Sequence, residues 1–216
     1  MPDREDFLRE LHHRVKNNFQ IIASLMNLQK RMLPPERRGD LRFVEEHVQS
    51  MAVAYRMVSD TAELVQVPID DLIREVGDNL RKIAAVKPSS LQYELSQAGA
   101  QIELNQGIVL GLFLAVVLPP YLDRVAEEGG SVHIRSGVTD AELTLCITAT
   151  SATPVVMDFL RRRLLDSYVR QLRGDALDPS PGSEVRLRFT LDAPRAGLPP
   201  HGAGIVPGGT AQQASR

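Results

Sequence analysis

Residues 6–33 carry apolar side chains at helical spacing with no Gly or Pro among them, and Pro34-Pro35 then stops the pattern. A second helical stretch follows over residues 36–64. With Leu8 at position a of a heptad, Val15 and Ile22 also fall at a, and Leu11, Leu25 and Met32 fall at d. Asn18 and Gln29 interrupt that seam, while Phe19 and Met26 at e widen it beyond a two-stranded coiled coil. One hairpin supplies two long helices. A second copy of the chain most simply supplies the other two, so residues 1–66 are expected to form a homodimeric four-helix bundle.

Beyond Pro68 the periodicity becomes mixed. Ile69, Leu72, Ile73, Val76, Leu80 and Ile83 repeat at helical spacing after a proline suited to a helix start. Short alternating runs at 91–95 and 101–104 then precede an apolar helix over 106–128. Gly129-Gly130 separates it from strands at 131–135 and 142–148, joined by a turn at Thr139-Asp140. A helix over 155–172, the loop GDALDPSPGSE and a strand alternating Val185, Leu187, Phe189 and Leu191 with Arg186, Arg188 and Thr190 complete the order. This predicts an α+β chain in which the hairpin leads into a two-layer α/β sandwich, residues 67–192, with a mixed sheet and helices on one face. Residues 193–216 hold five Gly and four Pro without periodicity and read as a disordered tail.

Composition narrows the field. With 25 Lys+Arg against 27 Asp+Glu, the net charge of −2 gives no bulk attraction to nucleic acid or an anionic membrane. The apolar stretch from Ile108 to Leu118 is too short to span a bilayer and reads as a buried helix. A lone Cys146 and an opening MPDREDFLRE without a signal-peptide pattern point to a cytoplasmic protein. Walker A, GxSxG and CxxC motifs and a zinc-spaced His pair are absent. Isolated His47, His133 and His201 read as ordinary polar positions. Arg161-Arg162-Arg163 reads as a solvated helix face opposite Phe159, Leu160 and Leu164, or as a docking patch for an acidic partner.

The segment ELHHRVKNNFQIIASLMNLQ, residues 10–29, is the informative one. His13 falls at f, farthest from the seam, and His12 at e on its flank. A histidine that exchanges a phosphoryl group with another protein must reach solvent, so His13 is the better acceptor and His12 the better packing residue. Its helical neighbours are Arg9, Glu10, Lys16 and Asn17. The cations and amide suit a phosphorylated imidazole, and Glu10 is placed to hold the second ring nitrogen. The plain alternative is a solvated surface His.

HRVKNN in this setting resembles the dimerisation and phosphotransfer region of bacterial sensor histidine kinases of the HRxKN type. The segment HVQSMAVAYRMVSD resembles that group's second helix more loosely, with His47 and Tyr55-Arg56-Met57-Val58 at the matching places. The resemblance implies phosphorylation of His13, with Arg14, Lys16 and Asn17 as motif companions, and response-regulator receiver domains as partners. It also exposes departures. The long helix that would present an Asn to magnesium reads LGLFLAVVLPPYLDRV, with Pro119-Pro120 expected to break it. The strand at 143–148 leads into ATSATP where an Asp-x-Gly-x-Gly turn would be, and no GxG lies before Arg173. A degenerate ATPase-like domain without bound cofactor follows, with Mg2+ supplied by the receiver. The resulting expectation is a histidine phosphotransferase, with a divergent ATP-using kinase or a non-catalytic scaffold as alternatives.

Overall fold

The computed structural model describes residues 3–57, 66–95, 99–151, 153–180 and 184–192. The expected disordered tail lies outside these residues. Helix α1 (Asp3–Met32) and helix α2 (Arg42–Met57) form the hairpin, linked by a 3-10 turn at Pro35–Leu41. Two contacts set their antiparallel register: Phe19 stacks on Tyr55 with ring centroids 5.1 Å apart, and Lys30 Nζ donates to Glu45 Oε2 at 2.6 Å.

The sandwich opens with strand β1 (Gln66–Pro68) and helix α3 (Ile69–Ile83), followed by strands β2 (Leu91–Leu95) and β3 (Gln101–Glu103) and helix α4 (Leu104–Glu128). Strands β4 (Val132–Thr139) and β5 (Glu142–Ala149), helix α5 (Phe159–Gln171), and strands β6 (Asp175–Ser180) and β7 (Glu184–Thr190) complete it. The main sheet has the order β2-β4-β5-β7-β6, with β2 and β4 parallel and the other pairs antiparallel; β1 and β3 form a separate ribbon. Alternation along the strands buries Ile134, Leu143, Leu145, Ile147, Val185 and Leu187 in the core and leaves Arg135, Thr144, Arg186 and Arg188 exposed. The β4–β5 hairpin turns at Asp140 and Ala141, both at positive φ.

Three expectations are corrected. Helix α4 runs unbroken through Pro119 and Pro120. Its 25 residues are long and apolar enough to cross a membrane by length and composition, but it packs as the central core helix against α2, α3 and α5. The GDALDPSPGSE loop contains an edge strand, β6, which pairs with β7 despite a proline, as edge positions allow. Helix α5 begins at Phe159 rather than 155, because Asp158 caps it by accepting from Arg161 N at 2.8 Å. It is also turned differently from its expected face. Phe159 and Leu160 are exposed, whereas Arg161 points inward with 12% of its side chain exposed.

Hairpin and sandwich share one core. Val53 and Ala54 of α2 belong to the same buried cluster as Leu110, Leu114 and Leu118 of α4. Gly111 permits the close approach, since a Cβ there would stand 3.2 Å from the Ser50 carbonyl oxygen.

Candidate functional site

Helix α1 presents two faces. Phe19, Met26 and Lys30 sit half-buried on the side turned to α2, whereas the seam residues Ile22, Leu25 and Met32 are exposed. Ile21 is 58% exposed, Leu25 59% and Met32 78%, with Ile22 and Leu28 beside them, so a continuous apolar stripe lies open along the helix. Asn18 lies exposed as well.

His13 is half-buried and takes part in a side-chain interaction rather than standing wholly in solvent. The register set by Phe19–Tyr55 and Lys30–Glu45 carries it beyond Met57, the last described residue of α2. On the preceding turn, Glu10 Oε1 accepts from Arg14 Nε at 2.7 Å, which holds an acid and a base beside the imidazole. Lys16 is half-buried one turn on, and Asn17 is exposed at the head of a shallow groove that continues over Gln20, Ile21, Ser24 and Leu25. The structure thus gathers Glu10, His13, Arg14, Lys16 and Asn17 on successive turns of one helix. Arg9 lies on the same helix, but its side chain and that of His12 are outside the described residues.

A second polar centre, which sequence reasoning missed, joins the hairpin to the sandwich. Glu46 of α2 is 1% exposed, and Arg42 Nε and Arg161 Nη2 donate to it at 2.8 and 2.9 Å. Arg42 also pairs with Asp123 of α4 at 2.7 Å. Glu46 is thus flanked by two guanidinium groups, which offset the cost of burying its charge. Burial pushes the Glu46 carboxyl above the usual carboxylate range, and Arg161 and Arg42 pull it part of the way back. Arg161 Nη1 donates to the carbonyls of Ala115 and Val116 at 3.0 and 3.2 Å. These are the two acceptors that Pro119 and Pro120, lacking N–H groups, leave unpaired four residues back. A proline pair inside a buried helix demands an outside donor, and that demand was the signal available in the sequence.

His47 borders this centre. Its Nδ1 sits 2.7 Å from the Phe43 carbonyl oxygen, and its ring lies against Phe43, with centroids 4.3 Å apart. Burial lowers its pKa; the Phe43 carbonyl opposes that and the nearby Arg161 charge adds to it. A depressed folded-state pKa means that His47 contributes stability above the usual histidine value and loses it as pH falls through the lower, folded value. Thermal unfolding measured from neutral pH downward should therefore show a stability loss starting below about pH 6.5 that is smaller in His47→Gln. Identical pH profiles for the two proteins would contradict this role.

A polar cleft of about 360 Å3 opens beside Arg161, between Pro120, Asp123, Arg124 and Glu127 of α4 and the segment Val155, Val156 and Asp158. Its charges are already committed: Arg124 pairs with Glu127 and Glu128, Asp123 with Arg42, and Arg161 with Glu46. No glycine lines it. Among the described residues, no group of three or more His, Cys, Asp or Glu side chains is arranged to hold a metal ion.

The helical hairpin that carries His13 falls within a stretch similar to a known family. Residues 10–84 match the HisKA_2 histidine kinase family. The chain is 35% identical over 80 residues to the sensor histidine kinase PdtaS of Mycobacterium tuberculosis, a match covering 37% of this chain and 16% of that protein. The chain therefore spans a small part of that relative's length. The fold extends further than the sequence match. The histidine kinase domain of the blue-light activated histidine kinase EL346 from Erythrobacter litoralis superposes with a TM-score of 0.55 at 14% identity, covering 88% of this chain and 95% of that one. A longer structure of the same kinase gives 0.59 at 18% identity, covering 87% and 63%. The α+β architecture, helices followed by a mixed sheet, is thus that of histidine kinase domains.

Proposed function

We propose that the chain is a histidine phosphotransferase of two-component signalling, which carries a phosphoryl group between receiver-domain aspartates on His13 without using ATP. The observation that carries this reading is the pairing of an HRVKNN helix, inside a histidine kinase-type segment, with a sandwich whose polar cleft has no phosphate cradle. Nucleotide phosphates need backbone amides presented by glycine-rich turns, and unpaired cations or a magnesium site. Among the described residues that line the cleft neither is present, which supports this reading. Pro120 and Asp123 stand on its α4 wall, and each arginine there is engaged by a carboxylate.

In the proposed step, the lone-pair nitrogen of a neutral His13 attacks the phosphorus of a receiver aspartyl phosphate. The N–P bond forms as the P–O bond breaks, and the aspartate leaves as carboxylate with the bonding electrons. Glu10 on the preceding turn accepts a hydrogen bond from the other ring nitrogen and so selects which nitrogen attacks. Lys16 and Asn17 on the following turn, with Arg9 as the further cation of the motif region, suit the transferred group's charge, Arg14 is the motif companion paired with Glu10, and the receiver's own Mg2+ offsets charge during transfer. Transfer then reverses onto a second receiver. The test is a relay of label from one phosphorylated receiver to another. Movement that requires this chain supports the reading; an unchanged rate without it overturns it.

The same reading makes the chain a homodimer, because the open stripe of Ile21, Ile22, Leu25, Leu28 and Met32 needs a cover and a second hairpin supplies the matching face. Light scattering on the eluting protein should give twice the 23.9 kDa chain mass, falling to a single chain mass in Leu25→Glu. A monomeric parent protein would contradict the bundle. The net charge of −2 supports partners that are proteins rather than nucleic acid or an anionic membrane, and the lone Cys146 suits the cytoplasm.

A further inference from the structure

The sandwich meets α2 at two kinds of pin. One is steric: Gly111 lies against the Ser50 carbonyl, with Val53 and Ala54 buried beside it. The other is polar and converges on one side chain. Arg161 of α5 reaches the orphaned carbonyls of Ala115 and Val116 on α4 and the carboxylate of Glu46 on α2, while its aliphatic and guanidinium parts pass over the Phe43 ring at 5.3 Å. Arg42 repeats the connection in the opposite direction, from α2 to Asp123 of α4.

We propose that Arg161 is an interdomain latch that locks the sandwich onto α2, so that hairpin and sandwich move as one body. Three features make it a latch rather than a surface ion pair. Its side chain is 12% exposed and its carboxylate partner 1% exposed, so solvent does not screen the pair. It also supplies the donors that two adjacent prolines removed from the middle of α4. Releasing α2 from α5 would leave Glu46 with Arg42 alone and reopen a buried surface. Finally, its guanidinium lies over the Phe43 ring of α2 at 5.3 Å, a second contact of the same side chain across the junction. The ion pairs of Arg42 and Arg161 hold the sandwich to the start of α2, near the hairpin loop, and the Gly111–Ser50 approach holds it further along. His13 lies toward the opposite end of the hairpin, away from Arg161. This inference concerns the mobility of the sandwich and stands whether or not His13 carries phosphate.

Paired spin labels on the full chain test it. In a Cys146→Ser background, one pair joins Asn27→Cys on α1 to Thr144→Cys on the outer face of β5, and a control pair joins Gln92→Cys to Thr144→Cys within the sheet. Each labelled chain is diluted with unlabelled protein so that distances within one chain are read. The latch predicts a single narrow hairpin-to-sheet distance in the parent. That narrow peak should be lost in Arg161→Met, Arg161→Lys and Glu46→Gln while the control pair stays narrow. If Arg161→Met also broadens the control pair, the sandwich itself has loosened, and Arg161→Lys and Glu46→Gln decide. A parent distribution that is already broad, or one that stays narrow in Arg161→Lys and Glu46→Gln, overturns the latch.

Discussion

Replacing Arg161 with methionine should destabilise the protein by about 3–4 kcal/mol, among the largest effects expected of a substitution in the described residues. Methionine fills much of the same volume, so packing loss is limited, and the cost is polar. The Ala115 and Val116 carbonyls lose their donor, and Glu46, 1% exposed, keeps only Arg42. Leaving buried acceptors and a partly compensated charge costs about 1–3 kcal/mol for each group. For a chain of this size the loss corresponds to a melting temperature lower by about 10 °C. The cause can be separated from simple packing. In a Pro119→Ala, Pro120→Ala background the α4 ladder regains its own N–H donors, and the cost of Arg161→Met should fall by about 1–2 kcal/mol. An equal cost in both backgrounds would show that the carbonyl contacts contribute nothing.

The second large effect is chemical rather than structural. His13→Gln should reduce phosphoryl transfer between receivers by at least about 10³-fold, to the level without the protein, because the nucleophile that carries the group is gone. His12→Gln should retain transfer. His13 lies on the hairpin outside the shared core, and the melting temperature of His13→Gln measured beside the transfer assay separates lost chemistry from lost fold. Transfer surviving His13→Gln, or lost equally in His12→Gln, would remove His13 from the centre of the account.

The two centres were unequally legible in the sequence. The hairpin was readable because Pro34-Pro35 and a heptad repeat mark its ends and faces, and the strand partners Leu143, Leu145, Ile147 and Val185, Leu187, Phe189 were readable from strict alternation. Heptad positions alone did not show which face of α1 would meet α2. Phe19 and Lys30 find partners on that helix, so the seam residues Ile22, Leu25 and Met32 turn outward, and His13, expected in solvent, is half-buried. Pro119-Pro120 misled a local rule. Helix α4 survives because an arginine distant in sequence supplies the missing donors, and a contact across that separation leaves no trace in local periodicity. The same contact turns α5, burying Arg161 and exposing Phe159. The β6 edge was hidden by its turn-like residues, since pairing with β7 overrides their weak strand propensity.

The central claim is that phosphate reaches His13 from a receiver and not from ATP. It is tested most directly by offering the full chain two donors separately, labelled Mg-ATP and a labelled phosphoreceiver, and locating the phosphate by mass spectrometry under alkaline conditions that preserve phosphohistidine. The account predicts label on His13 from the receiver and none from ATP. Label on His13 from ATP alone, or a receiver that leaves His13 unlabelled, would contradict it.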